Sequence, residues 1–270
     1  MEQLAKAGRI FFGIGLIGIA IQHFMYSEFR PVILPPWPEG WQSSAPAAWV
    51  FGVIFGLCGL LLVLGKNTKN VSLILGGIFL FLSIAFQLVF TLFTSPNSPK
   101  HFGVWTDPLK EFAMAGQAFI ISMYPWEKNK TTSSPLLKFL ENIAPFGKYF
   151  FATMLIIFGI DHFVYTDFVA TLVPDWLPGH VFWTYLGAIA LIGAGLAIFL
   201  NFQMVRVNIL LGLMLFIWFL ILHIPRGIAD PNGAKGNEIT SVFEALAFSG
   251  AAFVLAATYK RKLSAQLAKA

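Results

Sequence analysis

The chain has little cysteine and little charge. A single cysteine, Cys58, occurs in 270 residues, so no internal disulfide and no C-x-x-C pair can form. That excludes enzymes that pass electrons to quinone through paired thiols. Cys58 lies inside an apolar run, where a cysteine ordinarily acts as a small buried hydrophobe. Charged residues make up 11% of the chain, against about 25% in soluble domains. Water does not solvate a surface so poor in charge, but lipid does. No Walker A loop is present, which excludes an ATPase. No nucleophile elbow occurs, and no apolar segment carries an arginine ladder. Lys6 and Arg9 precede an apolar run, but no small-x-small cleavage site follows. We therefore expect a retained helix there.

The chain is rich in hydrophobic residues, at 57%. A bilayer core of about 30 Å takes roughly 20 apolar residues per helix. Eight segments meet or approach this length: 8–27, 44–65, 70–93, 108–125, 146–166, 179–200, 203–224 and 240–260. The expected fold is all-α and integral to the membrane, with eight transmembrane helices. If the N-terminus is cytoplasmic, 13 of the 18 Lys and Arg residues fall on the cytoplasmic side. That bias places both termini in the cytoplasm. The net charge of +5 does not point to nucleic acid, because the basic residues sit in short runs between apolar segments. The expected partner is membrane lipid.

The chain repeats itself. Residues 8–40 align with residues 147–179 at an offset of 139, with 13 identities in 33 positions. Paired His23/His162, Tyr26/Tyr165, Pro35/Pro174 and Trp37/Trp176 exceed what shared hydrophobicity explains. Weaker matches follow, among them Val71–Gly76 with Val207–Gly212, and Gly116 with Gly250. We expect two four-helix-bundle units, 1–125 and 146–270, the second ending in a basic tail. A polar, basic cytoplasmic linker over 126–145 would join them. Four helices is an even number, so both units insert the same way up, related by an axis along the membrane normal.

All five histidines, His23, His101, His162, His180 and His223, fall on the opposite, outer side with ten of the 13 acids. The positive-inside rule places basic residues and says little about these. Each unit's first helix ends in a His-Phe-x-Tyr motif, at His23–Tyr26 and His162–Tyr165. His and Tyr three residues apart share a helix face, and polar groups at membrane depth usually face a bundle interior. A proton carrier, a ligand-binding pair and a purely structural tie to a neighbouring carbonyl all satisfy that pattern. The second unit is the more polar. Asp161, His180, His223 and Glu244 stand where the first unit has Gln22, Trp41, Gln87 and Lys110. The candidate catalytic residues are Asp161, His162 and His223. Candidate binding residues are Tyr165, His180, Arg226, Glu244, His23 and Tyr26.

No metal site is expected, because these histidines come from different helices without local ligand spacing. A bis-histidine haem on His23 and His162 would require the first and fifth segments to face each other. The Pro/Trp loops at 34–38 and 173–178 suit helix stops at headgroup depth. The glycines of the second and sixth segments suit close helix packing.

His23-Phe24 and His162-Phe163, each followed by a Pro/Trp loop and a glycine-rich helix, resemble the DoxX-like membrane proteins. The closer likeness is to the MauE-type, redox-associated branch. That family is usually one four-helix unit, so the resemblance covers each half of the chain. It implies a role beside quinone-linked oxidoreductases or in maturing periplasmic redox enzymes, in a bacterial inner (plasma) membrane. This sequence departs from the family in being duplicated and in lacking redox cysteines. The resulting expectation is a subunit or accessory protein that binds a quinone or lipid headgroup and works with a redox partner protein. A proton-coupled small-solute transporter and a non-catalytic scaffold or assembly factor are the alternatives.

Overall fold

In a computed structural model, residues 1–97, 99–126 and 134–268 are described, without the side chain of Ala234. Among the described residues all regular secondary structure is helical. Seven helical runs are long and apolar enough to cross a membrane: Glu2–Tyr26, Ala45–Leu64, Thr68–Thr94, Pro135–Val164, His180–Phe199, Met204–Ala229 and Asn237–Leu267. The fourth apolar segment forms a helix of 17 residues, Thr106–Ser122. At 1.5 Å per residue that covers about 25 Å. A 3₁₀ turn, Phe102–Trp105, precedes it.

The helices are α1 (Glu2–Tyr26), α2 (Ala45–Leu64), α3 (Thr68–Leu82), α4 (Thr106–Ser122), α5 (Pro135–Ile143) and α6 (Gly147–Val164), followed by α7 (Thr166–Ala170), α8 (His180–Phe199), α9 (Met204–Trp218), α10 (Ile224–Ala229) and α11 (Asn237–Leu267). Local chemistry sets several ends. Gly65, at φ +70°, closes α2 with its N–H on the Leu61 and Leu62 carbonyls, a left-handed cap that glycine adopts without strain. Asn67 and Gln203 take the left-handed conformation just before α3 and α9.

Helices α4 and α11 lie at the centre. Both are buried nearly all round, as a helix in the middle of a bundle must be. Helix α11 packs on α1, α9 and α4, while α4 packs on α6, α3 and α11. Helices α2 and α8 lie outside α1 and α6. Their outer faces expose residues such as Leu57, Leu60, Phe182 and Ile189, which is stable against lipid and not against water.

Small residues set the spacing. Gly8 meets Gly250, and Gly116 meets Gly147, each so closely that a Cβ would strike the opposite backbone carbonyl. Gly76 receives the ring of Phe119, and Gly212 that of Phe253. Such approaches are how helices associate where lipid removes the hydrophobic drive.

Opposite ends of the bundle gather different groups. At one end, Arg9 of α1 contacts Gly65 and Trp126, and Lys148 of α6 reaches Tyr259 of α11. At the other, Gln22 of α1 donates to the Gly236 carbonyl and accepts from the Thr240 hydroxyl, both at 3.0 Å. Gln22→Leu removes both bonds, while the Gly236 carbonyl keeps the Thr240 hydroxyl at 3.2 Å and the Thr240 N–H at 3.0 Å. Its expected cost is therefore about 1 kcal/mol, the net worth of ordinary hydrogen bonds, measured by thermal unfolding in detergent.

Two outlines differ from the sequence reading. Residues 135–143 of the expected linker form α5, whose Leu140 packs on Gly77 of α3 and whose Glu141 pairs with Lys69. Positions 127–133 of that linker lie outside the described residues. The basic tail continues as helix to Leu267, since residues 260–267 keep helix-forming side chains after leaving the apolar span.

Candidate functional site

The centre of the bundle carries charge. Lys110 of α4 and Glu244 of α11 form an ion pair at 2.8 Å, their side chains 14% and 2% exposed. Helices this rich in alanine and glycine approach closely enough to bring the two together. Asp107, one turn earlier on α4, acts electrostatically on Lys110, Glu111 and Glu244. Glu111 is fully buried, and neither of its carboxyl oxygens has a hydrogen-bond partner. Buried polar groups are nearly always partnered, so this carboxyl is completed by something other than the described side chains. A proton, a water or a ligand hydroxyl has the right chemistry.

Beside this seam the helices change pitch. Helix α3 continues as π-helical turns over Ser83–Leu88 and Phe90–Thr94, and α9 as one over Phe219–His223. π turns are uncommon and cluster at functional sites. They carry Gln87 and His223, which the repeat alignment pairs. Gln87 donates to the Pro31 carbonyl at 2.7 Å. His223 keeps a buried Nδ1 without a partner, under the charges of Lys110, Glu238 and Arg226. Arg226 is itself engaged, donating to both oxygens of Glu238 at 3.0 and 2.6 Å.

The residues singled out in the sequence form three groups. His223, Arg226 and Glu244 gather along the seam with Lys110. Asp161, His162 and Tyr165 sit at the end of α6. There the His162 Nδ1 lies 2.6 Å from the Phe158 carbonyl, and its ring stacks on Trp218 at 6.5 Å. The Tyr165 ring lies 5.3 Å from His101, whose charge acts on Asp161. His180 opens α8, its carbonyl taken by the Thr184 hydroxyl. His23 and Tyr26 form the third group, at the end of α1. His23 is fully buried between Phe29 and Phe55, with Nδ1 2.7 Å from the Ile19 carbonyl.

Asp107, Glu111 and Arg30 are absent from the sequence candidates. Arg30 is fully buried in the loop after α1, 4.2 Å from the Tyr26 ring centre, and donates to the Lys235 carbonyl. Burial lowers its pKa from the ordinary arginine value, while the Glu28 carboxylate opposes that. Lys235 pairs with Glu28 at 2.9 Å, so loops far apart in sequence lock together at this end. Among the described residues, no three His, Cys, Asp or Glu side chains are placed to hold a metal ion.

No family model, no curated protein and no solved structure matches this chain.

Proposed function

We propose that the chain is a DoxX-like integral membrane protein of eight transmembrane helices. Two four-helix units insert the same way up in a bacterial inner membrane, with both termini in the cytoplasm. Paired contacts support the repeat. Gly8 on Gly250 corresponds to Gly147 on Gly116, and Gly76 under Phe119 to Gly212 under Phe253. The π turns begin at Ser83 and Phe219, 136 residues apart, as Asn67 and Gln203 are. The units would be joined by α1 packing on α11 and α6 on α4.

In this reading the outer end binds a quinone or lipid headgroup and exchanges protons with it, in the service of a redox partner protein. One observation carries it: Glu111, next to Lys110 in the α4 sequence, is fully buried with two unpartnered oxygens. With the open Nδ1 of His223, it supplies the acceptor and ring nitrogen that a quinol or quinone head needs. Asp161 and Tyr165 would serve at the end of α6.

Ubiquinone titration into the full chain in nanodiscs, followed by tryptophan fluorescence, tests this. Glu111→Gln and His223→Ala should each weaken binding about tenfold, the loss of one hydrogen bond to a charged or buried group. Lys6→Ala should leave it unchanged. Saturable binding that survives both site variants would defeat the proposal.

The paired π turns favour a second reading, proton-coupled transport of a small solute, because helices with irregular pitch can change register at low cost. Solute uptake into proteoliposomes that tracks an imposed pH gradient would select it.

A further inference from the structure

We propose that the opposite end of the bundle holds a phosphate-type anion, supplied by the headgroup of an anionic membrane lipid. An open recess of about 110 Å³ lies where the end of α4, the start of α6 and the end of α11 meet. Its inner wall is apolar, formed by Ile120, Met123 and Leu255, and its rim carries Lys148, Tyr259 and Lys262. Two ammonium groups flank one phenol ring. Lys148 Nζ lies 5.4 Å and Lys262 Nζ 5.1 Å from the centre of Tyr259.

The partners of these cations are neutral. Lys148 donates to the Tyr259 hydroxyl at 2.7 Å and to the Asn201 side-chain oxygen. The Tyr259 hydroxyl donates to the same Asn201 oxygen at 2.8 Å. Among the described residues no carboxylate pairs with Lys148 or Lys262. Two like charges around one ring repel each other, and a bound anion would relieve that. The apolar side chains of Ile120, Met123 and Leu255 give the start of an acyl chain a surface to lie on. Basic recesses between helices at the cytoplasmic face are how phospholipid headgroups are held. In the orientation proposed above this end is cytoplasmic, but the binding geometry does not depend on that.

The test is lipid binding to the purified full chain by native mass spectrometry. It compares phosphatidylglycerol, phosphatidylcholine of the same acyl chains, and inorganic phosphate. At about fivefold per lysine near an anionic headgroup, Lys148→Ala/Lys262→Ala should bind phosphatidylglycerol about thirtyfold more weakly. The conservative Lys148→Arg/Lys262→Arg pair should keep most of the binding, which guards against a misfolded alanine variant. Lys100→Ala/Lys235→Ala, equally basic but at the opposite end of the bundle, should bind like the wild type. The proposal fails if phosphatidylcholine binds as well as phosphatidylglycerol, or if the distant pair costs as much as the recess pair. Inorganic phosphate bound as tightly as the lipid, with the same lysine dependence, would assign the site to the free anion and overturn the lipid assignment.

Discussion

Glu244→Ala should destabilise the protein by about 3–5 kcal/mol, read as a lower unfolding temperature in mild detergent. Removing one partner of a buried ion pair leaves the other charge uncompensated, and that, more than the lost attraction, sets the size of the effect. Lys110 is 14% exposed and sits between helices that offer few other polar groups. Lys110→Met should be as damaging, because Glu244 would then face Asp107 without a cation. The double variant Lys110→Met/Glu244→Met should lie within about 2 kcal/mol of the wild type, since well-packed apolar pairs often replace buried ion pairs at little cost. Exchanging the two charges should not restore the protein. Asp107 and Glu111 lie on α4, whereas the corresponding positions of α11 are Ser241 and Ala245. Lys110→Glu would put a third acid among the α4 carboxylates. Single variants that unfold like the wild type would show that the pair does not close the seam.

Seven of the eight apolar segments were legible as spans because lipid demands long runs of one kind of residue, although α1 starts six residues earlier and α11 ends seven residues later than the apolar runs. What hydropathy could not see was structure that lies outside the apolar spans. Helix α5 is amphipathic and carries Lys138 and Glu141, so it registers as linker although Leu140 is buried against α3 and α4. The site was legible in part. His223, Arg226 and Glu244 stood out as polar groups at the outer end of the second unit, and they do gather. The seam's other half was missed, although its signal was present. Lys110 and Glu244 occupy equivalent positions in the repeat and carry opposite charge. Equivalent positions that face a common axis meet each other, so such a pair reads as a contact and not as divergence between units. Asp161 and His162 end α6, and the His162 ring stacks on Trp218, just before the π turn that carries His223. Nothing in linear spacing tells which faces of separate helices converge. The burial of Arg30 in the loop after α1, against the Lys235 carbonyl, leaves no mark in the sequence.

Gly8→Val and Gly116→Val should each cost at least about 3 kcal/mol, the upper part of the range for overpacking a rigid site. The group in the way is backbone in both cases: the Gly250 carbonyl for Gly8 and the Gly147 carbonyl for Gly116. A side chain can swing aside, but a carbonyl in a helix moves only if the whole helix moves. Inserting Val at either place must therefore part α1 from α11 or α4 from α6. The Lys110–Glu244 pair depends on the same seam, since α4 and α11 are held in register by these flanking helices. On the proposed reading, quinone affinity should consequently fall in both variants. Gly193→Ala in α8 provides the contrast. A Cβ there meets nothing within 4 Å, and exchanging helix-interior glycine for alanine stabilises by about 0.5–1 kcal/mol. Unfolding temperatures of the three variants, measured side by side, separate the two effects. Gly8→Val and Gly116→Val should be lowered together and Gly193→Ala slightly raised. Equal tolerance at all three positions would mean that the helices do not approach through their glycines, and the central seam would have to be drawn differently.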